Sequence, residues 1–424
     1  MMCRRIRQMI ALLAVGSLLV ASVLLAGCVR VGGNGNRSFA KTKEDTVRRE
    51  FRLHVYFDNS ASMQGYVNGG TEFVEFVNDY VSTIARKFRK KKGDSLQRLT
   101  CSGVEVFLLD TAVHPVAIDY GELSSKLLIP NSFQAKESET STMIRNLLAQ
   151  QREDVVTLFF TDGLFTSSRE SVERMSVGIR TQLTQCFDAG EVDTKLLRLV
   201  SQFDGLYYPP KLEKNKAKSK YKGPRPYFCW VLGHPAILSE VASNALIDKL
   251  PGTKNGYDEV VGLKTLKPAY AVLRDPHCKY KNSSEKGETN WVIEPELDLQ
   301  GNFAFKVGFA PKTHLLDESY FLDSTHYEVT PPEFVLTVEK AAPDLPCDYV
   351  LTFRLRPNVL PSKGLLRVTL KRPSYQWDVF TEEDGTKQVA GKTYGLNYFV
   401  EGIESAYRQE YGDELVNMSI IINK

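Results

Sequence analysis

Four short runs, residues 53–57, 104–109, 155–160 and 227–232, are apolar nearly throughout and rich in β-branched and aromatic side chains, and longer amphipathic stretches lie between them. Strands of this kind are covered on both faces, which calls for a sheet flanked by helices. After the first run, Phe73, Val74, Phe76, Val77, Tyr80, Val81, Ile84 and Phe88 recur at helical spacing and form one apolar stripe. The basic run at 86–92 falls at the end of that helix, where the dipole favours cations, so it reads as a solvated helix end.

From about residue 265 the period changes to two. Phe303, Phe305, Val307 and Phe309, and again Leu366, Val368 and Leu370, alternate with polar residues as half-buried antiparallel strands do. Turn signals at Pro331-Pro332 and at 361–364 separate them, the pattern of a β-sandwich. Leu396, Phe399, Val400, Ile403 and Tyr407 then form a helical stripe and residues 416–422 a last strand. The reading is therefore an α/β domain over 51–255 with a doubly wound, Rossmann-like sheet, followed over 265–424 by a mostly antiparallel β-sandwich-like domain with a C-terminal helix. The pattern does not say against which domain that helix packs.

The first residues carry Arg4, Arg5 and Arg7, then an apolar run over 9–25, then Leu25-Ala26-Gly27-Cys28. Charge, apolar stretch and small residues before one cysteine are the layout of a signal peptide over 1–27. An uncleaved membrane helix is the alternative, because about 17 to 25 apolar residues can span a bilayer. The end of the run resembles the lipobox of bacterial lipoproteins, which implies that Cys28 carries the lipid and that 28–50 is a flexible tether. The three leader arginines account for the whole formal charge of +3, so the remaining chain is near neutral, and nothing suggests nucleic acid. Val29 is not the aspartate that commonly retains lipoproteins at the inner membrane, so an outer membrane is favoured where a cell has two.

Beyond Cys3 and Cys28 the cysteines are Cys101, Cys186, Cys229, Cys278 and Cys347, with no C-x-x-C pair for zinc or redox work. Cys278 and Cys347 are candidates for a disulfide, and Cys229, inside an apolar strand, for a buried thiol.

Open sheets bind ligands at the carboxyl ends of their strands. Two such ends stand out: the first run leads into Asp58-Asn59-Ser60-Ala61-Ser62, and the third into Thr161-Asp162-Gly163. A carboxylate and two hydroxyls on one tight turn, joined by a second carboxylate from a neighbouring strand, suit a small hard cation with oxygen ligands. Lone aspartates and serines of this sort often only cap helices and turns.

The order Asp-x-Ser-x-Ser, a threonine on a later loop, then Thr-Asp-Gly resembles the metal-ion-dependent adhesion site of von Willebrand factor A (vWA) domains, and the match covers residues 50–250. The resemblance implies one Mg²⁺ or Mn²⁺ held by Asp58, Ser60, Ser62, Thr142 and Asp162, with Thr140 the second candidate for the threonine. Ala61 stands where the family usually has glycine, which removes no ligand. It further implies a cell-envelope binding protein, lipid-anchored through Cys28, whose metal takes a carboxylate from a protein or other macromolecule. Residues 64–70 and 131–142 would form the rim that meets that partner.

Two other functions suit the same residues. One is a structural subunit of an envelope complex whose metal stiffens the loops, and the other a metal-dependent hydrolase. Against the second, the second domain has no nucleophile elbow, His-Glu-x-x-His or phosphate-binding glycine loop, and the six histidines show no ligand spacing. The expectation is thus a binding protein and not an enzyme. Residues 207–226, with Lys211, Lys214, Lys216, Lys218, Lys220 and Lys222, read as a mobile soluble loop.

Overall fold

Residues 53–57 lie within β1 (Arg49–Asp58), an inner strand of a seven-stranded sheet in the computed structural model, which describes residues 48–90, 97–135, 139–163, 172–208, 219–274, 280–282, 290–382 and 391–423. Its neighbours β2 (Leu99–Leu109) and β4 (Val155–Thr161) run parallel to it. With β3 (Val113–Val116), β5 (Asp193–Tyr207), β6 (Ser219–Gly233) and β7 (Tyr257–Gly262), the order is β3-β2-β1-β4-β6-β5-β7. Every pairing outside β2-β1-β4 is antiparallel, so the sheet is mixed.

Alternation along the central strands sends their side chains to two helical layers. Phe51, Leu53, Val55 and Phe57 share a cluster with α1 (Glu72–Lys87) and α4 (Pro235–Asn244). Tyr56, Phe159, Trp230 and Leu232 face the other way, toward α2 (Thr140–Ala149), α3 (Val172–Ala189) and α5 (Leu396–Tyr411). The apolar stripe of α1 forms a helix because its ends are dressed for it. Thr71 accepts from the Val74 N–H, Glu72 and Glu75 occupy the first turn, and Arg86 and Lys87 the last.

The α5 helix packs on the seven-stranded sheet, which answers what the sequence left open. Trp230 meets Phe399 edge-on at 5.1 Å between centroids, and the Tyr407 hydroxyl donates to the Val192 carbonyl at 2.8 Å. Gly402 permits the approach to α3, since a Cβ there would lie 2.8 Å from Cβ of Ile179.

Besides a two-stranded pair, Thr381–Glu382 with Thr393–Tyr394, two smaller sheets follow. One is antiparallel, in the order Val335–Lys340, Tyr349–Arg354, Ala304–Ala310 and Ala269–Val272. The other runs Tyr327–Thr330, Gly364–Lys371, Glu414–Asn423, Trp291–Ile293 and Lys281–Asn282, with one parallel pair. Neither closes into a barrel. Phe305, Val307 and Phe309 from the first and Leu366, Val368, Met418 and Ile420 from the second lie in one core with the α1 face of the large sheet. The described residues accordingly form one compact unit.

One expectation is corrected and one strand is added. The fifteen-residue β5 is hidden in the sequence, because Asp193, Thr194, Lys195 and Arg198 break its apolar run although all four are buried. Partners on neighbouring strands meet most of their polar atoms: Lys195 pairs with Glu259 at 2.7 Å, Arg198 with Asp258 at 2.8 Å, and Thr194 donates to the Val231 carbonyl at 2.8 Å, while Arg198 Nε has no hydrogen bond among the described residues. Residues 219–226, read as part of a mobile loop, belong to β6 and pair with β5, their prolines and lysines accommodated on a ribbon whose outer edges are unpaired. Cys229 is buried as expected, and the candidate pairing of Cys347 with Cys278 falls on a residue outside the described ones. Cys278, the leader, Cys28, the tether up to residue 47 and the lysines at 211–218 lie outside the described residues, and the last two tether residues, Arg49 and Glu50, begin β1. Among the described residues no helix is long and apolar enough to cross a membrane.

One consequence of this register positions the site. β4 pairs with β6 only as far as Thr161 opposite Phe228, and β7 with β5 only as far as Tyr257 opposite Leu199. Residues 200–207 and 219–226 therefore continue as a two-stranded arm beyond the carboxyl end of β4.

Candidate cation site

The parallel register sets Asp58 beside Leu109 and Phe57 beside Phe160, so the carboxyl ends of β1, β2 and β4 meet at one edge. Asp58 is 4 % exposed there. Its Oδ1 accepts the Ser60 N–H at 2.8 Å and its Oδ2 accepts the Thr161 hydroxyl at 2.8 Å. The Ser60 and Ser62 hydroxyls, both buried, are hydrogen-bonded to each other at 2.9 Å. The sequence turns here because Ser60, in an extended conformation, leads into a single 3-10 turn over Ala61–Tyr66.

Backbone bonds fix that turn to the next loop. Ala61 N donates to the Ala135 carbonyl at 3.2 Å and Ala135 N to the Asn59 carbonyl at 3.0 Å. The Asn59 side chain donates to Asp110, just past β2, at 2.9 Å, and Gln64 donates to the Phe133 carbonyl at 2.5 Å. Three strand ends and the 131–135 loop are thus tied together around Asp58.

Asp162 follows β4 directly and is 2 % exposed. Burial, and after it the negative charge of Asp162, push the Asp58 carboxyl well above the usual carboxylate range, against hydrogen bonds from Ser60 and Thr161 that favour its ionised form. Two buried carboxylates side by side make this edge a place where positive charge is stabilised.

Part of that charge comes from a residue sequence reasoning missed. Arg225, on the arm, donates through Nη2 to Asp162 Oδ2 at 3.0 Å. Its guanidinium is 4.8 Å from the Phe203 ring centroid, 5.2 Å from Tyr207 and 5.6 Å from Tyr66, and Nη1 is buried without a hydrogen-bond partner among the described residues. The available signal was a lone arginine between Pro224 and Pro226 at the edge of an apolar run.

The two candidate threonines differ in surroundings. Thr142 donates to Glu139 Oε2 at 3.0 Å and accepts from Arg145 at 3.0 Å, whereas Thr140 is buried at the first position of α2. The structure therefore brings Asp58, Ser60, Ser62, Thr161 and Asp162 to one edge and occupies the Thr142 hydroxyl with neighbours on its own helix turn.

The donors at this edge are carboxylate and hydroxyl oxygens, a hard set that fits Mg²⁺ or Mn²⁺. Among the described residues no three His, Cys, Asp or Glu side chains cluster as ligands, and this edge offers two carboxylates with hydroxyls. A cleft of about 640 Å³ lies elsewhere, lined by Lys195, Tyr257, Glu259, His314 and Asp317, and no site residue lines it. The sequence matches no family model and no curated protein.

Proposed function

We propose that the chain binds one Mg²⁺ or Mn²⁺ at this edge and uses it to engage a carboxylate of a protein or other macromolecular partner, in the manner of a vWA adhesion site. The observation that carries the proposal is the union of Asp58, Ser60 and Ser62 on one buried turn with Asp162 on the adjacent strand end. Asp58, Ser60 and Ser62 would hold the ion, with Thr140 or Thr142 and Asp162 completing the donor set. Neutral hydroxyls donate without cancelling charge, so an ion held by them stays electrophilic toward an outside carboxylate. The turn over Ala61–Tyr66, the 131–135 loop and the arm surround this edge and would set specificity. The leader and Cys28 place the protein, in this reading, on the outside of a bacterial inner membrane or on the outer membrane.

Retention of envelope components on immobilised protein tests the reading. Capture that requires Mg²⁺, is reversed by a chelator and is lost in a folded Ser60→Ala variant is the expected result. Capture that ignores chelator and variant alike would contradict it.

A further inference from the structure

Arg225 is a costly residue to bury. Its side chain is 4 % exposed and that of Asp162 is 1 % exposed, and an arginine removed from water persists only where a charge partner holds it. Here the partner is a carboxylate of the candidate cation site, and the arginine arrives on a separate element, the arm, whose aromatic side chains Phe203 and Tyr207 flank it.

The arm is also locked to the turn that carries the serines. The Tyr66 hydroxyl donates to the Pro226 carbonyl at 2.5 Å, and Asn68 donates to the Asp204 carbonyl at 3.1 Å. A Cβ on Gly205 would lie 2.7 Å from Gly65 Cα. Turn, arginine and Asp162 therefore form one connected arrangement, and a change in how Asp162 is held reaches the arm through Arg225.

We infer that Arg225 is a built-in counter-cation of this site, which competes with a divalent ion for Asp162 and so couples ion occupancy to the conformation of the arm. The inference rests on the cation-binding reading above. Without the ion, Arg225 neutralises Asp162 and holds the arm down. An ion drawing on the same carboxylate weakens that pair and repels the guanidinium, whose Nη1 makes no hydrogen bond among the described residues. The fold is then stable without metal, and ion binding is weaker than the oxygen donors alone would give.

The test is calorimetric titration of MgCl₂ and MnCl₂ into the full-length chain and into Arg225→Gln, with hydrogen exchange of residues 200–207 and 219–226 followed with and without ion. Arg225→Gln is expected to bind the ion at least about tenfold more tightly than the parent, the scale of one unit charge removed from the neighbourhood of a dication. Equal or weaker binding by Arg225→Gln beside a parent that binds would overturn the inference and leave the cation site standing. Binding by Arg225→Gln alone would contradict the parent's use of the ion, and with it the coupling. Binding by neither folded protein would sink the cation reading and this inference with it. Should Arg225→Gln fail to fold, the parent still decides: saturating Mg²⁺ is expected to lower protection in the arm, and unchanged or increased protection would overturn the coupling.

Discussion

Gly65 lies flat against the ring of Phe203, so that a Cβ at Gly65 would come within 2.3 Å of it. The turn that presents Ser60 and Ser62 is thereby in van der Waals register with the arm that presents Arg225. Gly65→Ala is expected to force turn and arm apart and to cost roughly 1–3 kcal/mol, the usual range for overpacking. Denaturant unfolding measures the loss. Wild-type stability in Gly65→Ala would show that the contact is looser than described.

Asp162→Asn leaves the Arg225 guanidinium buried without a counter-charge. The expected loss is about 3–5 kcal/mol, and Arg225→Met in the same chain should recover most of it, because two neutral groups replace an orphaned charge. Unfolding of the single and double variants, compared as a thermodynamic cycle, checks this. Additive losses would mean that the pair is not an energetic unit.

Thr142 is engaged by Glu139 and Arg145, and Thr140 is buried at the start of α2. One of the two supplies the threonine oxygen of the site, so one of Thr140→Val and Thr142→Val is expected to weaken Mg²⁺ binding about tenfold or more and the other to leave it within about twofold. Ion titrations on both variants assign the ligand, and unchanged binding in both would remove threonine from the donor set.

Asp193, at the start of β5, is fully enclosed, and burial raises its carboxyl to about 7 although it accepts the Lys264 N–H at 2.8 Å. Its pKa when folded thus exceeds its unfolded value, and the native state binds the extra proton between those two values. The contribution to stability is present in full below the unfolded pKa and is lost as pH rises through about 7. Asp193→Asn keeps an acceptor for Lys264 and cannot ionise. It is expected to be more stable than the parent above pH ~7, by up to about 4 kcal/mol, with the gap closing toward pH ~4. Parallel stability curves for parent and variant would show that Asp193 is not held protonated.

Much of this architecture is legible in the chain because a single rule governs it. Leu53, Val55 and Phe57 are apolar toward one helical layer and Tyr56 toward the other, so the run announces a strand covered on both faces. The alternation at Phe303–Phe309 and Leu366–Leu370 likewise marks strands with one buried face. The rule fails where a strand buries charge with its partners attached. Lys195 and Arg198 conceal β5, because their acidic partners Glu259 and Asp258 stand about sixty residues away, on β7. It fails again for α5, whose stripe fixes a helix but not the sheet that receives it.

The candidate site divides in the same way. Asp58, Ser60 and Ser62 are close in sequence, and Asp162 ends an apolar run, so the strand-end rule finds all four. Arg225 lies 63 residues from Asp162, and only the antiparallel return of β6 beside β4 brings them together. No local pattern records that return.

Calorimetric titration of Mg²⁺ and Mn²⁺ into the parent chain, beside Asp58→Ala and Ser60→Ala, tests the central claim most directly. One saturable site in the parent, absent from both folded variants, is the predicted result. A folded parent that takes up neither ion, or variants that bind as the parent does, would contradict it.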